Sequence, residues 1–192
     1  MYEMFPGLKL IALLRQPADR AWSAFLHHRR LGIETLRDFN KALKFESERQ
    51  DRNWYPGWRY WQNGLYADNL KPYIELFGRK QIRIYLYDDW NEHPHAVMAD
   101  IYQFLGIDDP FTPNLDIRYN VSLVPRSFWI QNQFQGKGLS SENRILRLII
   151  RINQSQPQIP ANIKQQLTER YCDSITALEK MLHRSLQTWR TK

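Results

Sequence analysis

Leu8-Lys9-Leu10-Ile11-Ala12-Leu13-Leu14-Arg15-Gln16-Pro17-Ala18-Asp19-Arg20-Ala21-Trp22-Ser23 reads as a strand that delivers an arginine onto a helix N-terminus. The apolar run Leu10 to Leu14 has the length of a strand covered on both faces, and Pro17 suits a first helical turn, where its missing N–H costs nothing. Arg15 therefore falls at the strand's carboxyl end, the place where open α/β sheets bind ligands. The free N–H groups of the first turn are expected to point there, and the helix dipole favours negative charge. Ser23 follows eight residues beyond Arg15, two turns into the helix. A guanidinium fork and a hydroxyl so placed can close on one phosphate from two sides.

Helix and strand signals alternate along the rest of the chain. A helix is expected from Pro17 to Arg30, with Trp22, Phe25 and Leu26 inward and Gly32 as its stop. A second amphipathic stretch runs from Leu36 to Arg49, followed by the aromatic run Trp54 to Trp61. Tyr66 to Phe77 is helical in pattern but carries Pro72, where a kink or break is expected. Ile82 to Tyr87 alternates as a strand, and Asp88-Asp89 reads as a turn after it. Pro94 to Leu105 is a helix capped by Gly106, residues 107–127 are a long loop, and Ala161 to His183 is a last long helix with a continuous apolar stripe. No repeat, low-complexity tract or linker divides the chain, so 1–192 is read as a single domain.

The 192 residues are 43% hydrophobic and 14% aromatic, ample for one core. A formal net charge of +7 points to an anionic partner: nucleotide, sulfated product, nucleic acid or acidic lipid headgroup. Cys172 stands alone, which excludes an internal disulfide and a multi-cysteine metal site and fits a reducing, cytoplasmic setting. His27-His28 and His93-x-His95 lack the i, i+4 spacing and carboxylate partners of a zinc site, so no metal is expected. No segment approaches the roughly 20 apolar residues of a membrane span.

Leu13-Leu14-Arg15-Gln16-Pro17-x-x-Arg20-x-x-Ser23 after an apolar strand resembles the 3′-phosphate-binding motif of PAPS-dependent sulfotransferases, PAPS being 3′-phosphoadenosine-5′-phosphosulfate. Gly64 to Leu70, Leu76-Phe77-Gly78, Gln81 to Asp89 and Phe104 to Ile107 are similar to the family's next helix, strand, acidic turn and helix. Asn120-Val121-Ser122, Pro125-Arg126-Ser127 and the closing Tyr171 to Trp189 resemble bacterial, heparan-sulfate-sulfotransferase-like members. The resemblance implies a three-layer α/β domain of the P-loop nucleotide-kinase type with a mainly parallel sheet. It implies that Arg15 and Ser23 hold the 3′-phosphate of PAPS, with Arg20 and Arg126 as further phosphate contacts. Tyr66 would line the acceptor cleft, and Trp58 and Trp61 of the aromatic run could stack on an acceptor sugar or phenol.

The family's glycine- and lysine-containing loop for the 5′-phosphosulfate, and the Glu or His base that follows it, normally precede this motif. Only seven residues precede Leu8, and they hold no such loop. The chain therefore reads as N-terminally truncated, about the carboxyl-terminal two-thirds of the family fold, and no catalytic residue is assigned. Loss of a central strand would leave unpaired edges, which a homodimer could cover. The expected activity is transfer of a sulfuryl group from PAPS to a hydroxyl or amine of a carbohydrate, lipid, phenol or peptide. Two other classes stay open: a non-catalytic relative that binds PAP or PAPS, and a basic nucleic-acid-binding module that stacks bases on the aromatic run.

Overall fold

Strand β1, Leu10–Leu14, pairs in parallel with β2, Ile82–Leu86, in the register Leu10↔Ile82 through Leu14↔Leu86. The computed structural model describes residues 3–52, 54–108, 113–115, 124, 125, 127, 144–155 and 157–191. The chain divides into two compact units: Met1–Ala21, Trp61–Arg118 and Ala161–Lys192 form one, Trp22–Tyr60 and Tyr119–Pro160 the other. Helix α1, Pro17–Arg30, begins in the first unit and ends in the second, with the bounds expected from Pro17 and from Gly32, whose φ is 74°.

The first unit is built on the β1–β2 pair. Parallel strands need a long crossover, and the helix Tyr66–Phe77 lies within it. The helix runs through Pro72 without ending there, so the expected kink does not break the element. Beyond β2 come the helices Tyr87–Glu92 and Pro94–Leu105, the latter closed by Gly106 in the left-handed region at φ 77°. One expectation for β1 is corrected. Leu14 is buried, but Ile11 and Leu13 are 42% and 50% exposed, so the strand is covered on one face only. A continuous apolar run cannot by itself tell a strand covered on both faces from one covered on one.

The final helix of the sequence reading is two helices, Ala161–Arg170 and Cys172–Leu182, followed by a short Thr188–Thr191 turn of helix. Tyr171 joins them in a helical conformation, its N–H bonded to Leu167 O and its carbonyl accepting from Ile175 N–H. The phase of the stripe therefore survives the junction: Ile163, Leu167, Tyr171, Ile175 and Leu178 are all buried. Tyr171 also explains Gly64, because a Cβ there would stand 2.5 Å from the Tyr171 hydroxyl. Asp88 and Asp89 lie in the first turn of helix Tyr87–Glu92, at the start of the segment that follows the strand. Trp189 Nε1 donates to Asp88 at 2.8 Å and Arg184 forks onto Asp89 at 2.5 and 2.7 Å, tying the C-terminal segment to the end of β2.

In the second unit the stretch Leu36 to Arg49 is likewise two helices, Phe39–Lys44 and Glu46–Asp51. Asp38 starts the first by accepting from Lys41 N–H at 3.1 Å. Phe45 links them in a helical conformation, so Phe39, Ala42, Glu46 and Arg49 are buried along one continuous face. Phe25, Phe39 and Tyr60 form the aromatic centre, with ring centroids 5.1 to 6.1 Å apart. A nine-residue helix, Arg144–Ile152, precedes a two-residue antiparallel ladder of Val124–Pro125 with Gln154–Ser155. Asn153 braces that ladder, accepting from Ser127 N–H and donating to Ser127 O, both at 2.9 Å.

Candidate functional site

In the first unit, chemistry gathers at the carboxyl end of β1. Gln16 precedes Pro17 and acts as the helix cap: its Oε1 accepts from Asp19 N–H at 2.8 Å, and its carbonyl accepts from Arg20 N–H at 2.9 Å. Its Nε2 reaches Thr168 Oγ1 at 3.0 Å and Trp189 O at 3.2 Å, so the cap is locked by the C-terminal helices. The first turn offers fewer N–H groups than expected, since Pro17 has none and those of Asp19 and Arg20 are bonded to Gln16. Side chains add the positive charge for an anion there.

Arg15 is the foremost of them. Its guanidinium lies over the Tyr87 ring, 5.3 Å from the centroid, a placement that orders the side chain and leaves the N–H fork usable. Among the described residues no carboxylate pairs with Arg15; Asp19, the nearest acid in sequence, pairs with Lys164 at 2.9 Å. Tyr66 fixes the strand end itself. It is 7% exposed and its hydroxyl donates to Arg15 O at 2.8 Å. Burial pushes this phenol up to about 12, against the pull of the neighbouring Arg20 guanidinium, which also hydrogen-bonds it. Tyr66→Phe is expected to cost about 1–2 kcal/mol in urea unfolding, because it removes the partner of a part-buried carbonyl. It should also weaken nucleotide binding, since the backbone that aims Arg15 loses its tether.

The second unit holds a buried polar chain. Glu34 and Arg49 form a bidentate ion pair at 2.7 and 2.9 Å, Tyr60 donates to Glu34 at 2.9 Å, and His28 Nδ1 lies 3.1 Å from the Tyr60 hydroxyl. Burial pushes the Glu34 carboxyl up, but hydrogen bonds from Arg49, the Leu36 amide and Tyr60 outweigh it and hold it below its ordinary value. Tyr60 is pushed up, by burial first and by the Glu34 charge second. Burial, then His27, lower His28 below 6.5.

Between its folded value and 6.5, His28 is protonated in the unfolded chain and neutral in the folded one, so stability falls as pH drops through that window. Thermal unfolding followed from pH 7 to pH 5 should show this decline, and His28→Gln should make it shallower.

The sequence profile described as the sulfotransferase domain matches residues 3–146. The chain belongs to the sulfotransferase domain family. Bifunctional heparan sulfate N-deacetylase/N-sulfotransferase 2 of Bos taurus is 27% identical over 139 residues, covering 70% of this chain and 15% of its own length. Bifunctional heparan sulfate N-deacetylase/N-sulfotransferase 4 of Mus musculus is 25% identical over 195 residues, covering 94% and 20%. The crystal structure of a sulfotransferase from Alicyclobacillus acidocaldarius matches with TM-score 0.73 at 28% identity, over 99% of this chain and 60% of that one. The sulfotransferase domain described here thus spans only 15–20% of those two curated relatives. The family and the α/β, P-loop-like fold inferred from the Arg15 motif both hold.

Within this sulfotransferase domain the expected site residues fall in both units. Arg15, Arg20, Tyr66 and Trp61 belong to the first, Ser23 and Trp58 to the second, and Arg126 lies outside the described residues, as do Asn120 and Ser122. Trp61 is held in place, stacked on Tyr171 at 4.1 Å, with Arg170 4.2 Å from its centroid. Trp58 is half-buried among Trp54, Tyr55 and His28, with Arg49 5.9 Å from its ring. Gln16, Tyr87 and the Glu34, Arg49 and Tyr60 links to His28 carry no motif of their own in the sequence. Gln16 had a local signal in its place before Pro17; the others meet partners too distant in sequence for any spacing rule to link them.

Proposed function

We propose that the intact protein is a sulfotransferase whose donor is PAPS, held at its 3′-phosphate by Arg15 and Ser23 and flanked by Arg20 and Arg126. The observation that supports this most is Arg15 itself: a guanidinium ordered over Tyr87 at the carboxyl end of β1, with Asp19 already paired to Lys164. Such a fork fits a phosphate, whose oxygens accept two parallel charge-assisted bonds. PAPS, when bound, supplies the sulfuryl group that passes to an acceptor hydroxyl or amine, leaving adenosine 3′,5′-bisphosphate. The part of this chain in that chemistry is alignment. Arg15 and Ser23 fix one end of the nucleotide, and the Gln16 cap and the Tyr66 tether keep their platform rigid. Trp58 is proposed as an acceptor contact through its ring face.

Calorimetric titration with adenosine 3′,5′-bisphosphate, set beside adenosine 5′-monophosphate, tests the donor assignment. Selective binding of the bisphosphate is expected. Equal affinity of a folded sample for the two nucleotides would remove the 3′-phosphate site from this chain.

A further inference from the structure

The helix Arg144–Ile152, Arg-Ile-Leu-Arg-Leu-Ile-Ile-Arg-Ile, is the most one-sided element of the chain. Ile145, Leu148, Ile149 and Ile152 are 70%, 56%, 38% and 61% exposed. At about 100° per residue these four positions share one sector of about 100°. Leu146 falls outside that sector and is buried, marking the covered side of the helix. Positions 144, 147 and 151, all arginine, occupy a third sector of about 60° that adjoins the exposed apolar one. The contrast with the C-terminal helices is direct, since the apolar stripe from Ile163 to Leu178 is buried.

An apolar sector flanked by cations selects its partner by chemistry. A second copy of the chain, docked isologously through this face, would bring one arginine row toward the other. A nucleic acid would satisfy the arginines and leave the isoleucines in water. An anionic lipid surface satisfies both, with headgroup phosphates on the sector of the arginine positions and the acyl boundary taking the isoleucines and leucine. Among the described residues no helix is long and apolar enough to cross a membrane, so the geometry is that of a helix lying in the interface plane. We propose that Arg144–Ile152 docks the second unit onto anionic bilayer surfaces. This inference is independent of the donor site.

Cosedimentation of the full chain with vesicles of phosphatidylcholine, alone or with about 30% phosphatidylglycerol, tests it. Binding to the anionic vesicles is expected to be at least about tenfold stronger and to weaken with salt. Two variants, Leu148→Ser with Ile152→Ser, and Arg144→Glu with Arg147→Glu, should each lose about tenfold or more. Because the two pairs sit in different sectors, a folding defect in one leaves the other as a test. No binding by the unaltered chain, or binding by both variants as strong as that of the unaltered chain, would overturn the proposal. So would a dimer in light scattering that Leu148→Ser with Ile152→Ser dissolves while vesicles stay unbound, which would assign the face to a second copy.

Discussion

Arg15→Ala is expected to weaken adenosine 3′,5′-bisphosphate binding about 10- to 150-fold, the worth of charge-assisted hydrogen bonds to a phosphate at about 1.5–3 kcal/mol. The loss should be confined to the 3′-phosphate. Affinity for adenosine 5′-monophosphate should change little, so the ratio of the two dissociation constants is the quantity to follow. Stability should also change little, because among the described residues this guanidinium has no ion-pair partner and lies over Tyr87. Arg15→Lys is expected to recover only part of the selectivity, since an ammonium offers a point charge where the guanidinium offers a fork. An unchanged ratio in the alanine variant would transfer the phosphate to other residues and leave Arg15 as packing on Tyr87.

Glu34→Ala is expected to destabilise the protein by about 3–5 kcal/mol in urea unfolding, the largest single effect outside the aromatic core. Both carboxylate oxygens are engaged by Arg49, Tyr60 and the Leu36 amide, and the Glu34 side chain is fully buried. Removing it strands a guanidinium that is itself 9% exposed, together with the Tyr60 hydroxyl. The penalty is that of an uncompensated buried charge, not the worth of the pair. The double replacement Glu34→Leu with Arg49→Met should therefore be less harmful than the sum of Glu34→Leu and Arg49→Met, with coupling well above about 0.5 kcal/mol in the double-mutant cycle. If Glu34→Leu and Arg49→Met instead add, the two residues act separately.

Local sequence was enough for whatever neighbours along the chain dictate to one another. Pro17 opens α1 and Gly32 lies just past its end, Gly106 closes Pro94–Leu105, and an apolar run of five residues makes β1; these bounds follow from φ preferences and from short-range hydrogen bonding. The order Arg15, Pro17, Ser23 also stood in the sequence, and with it the family. Tertiary structure decided how far each surface is covered and where each polar group finds its partner. Ile11 and Leu13 carry the same apolar signal as Leu10 and Leu14, yet one face of β1 is open. Gln16 reaches partners 152 and 173 residues away, and Arg49 finds Glu34 across 15. Burial and hydrogen bonding of side chains depend on which elements meet, and that follows from packing the whole chain, which no local pattern encodes.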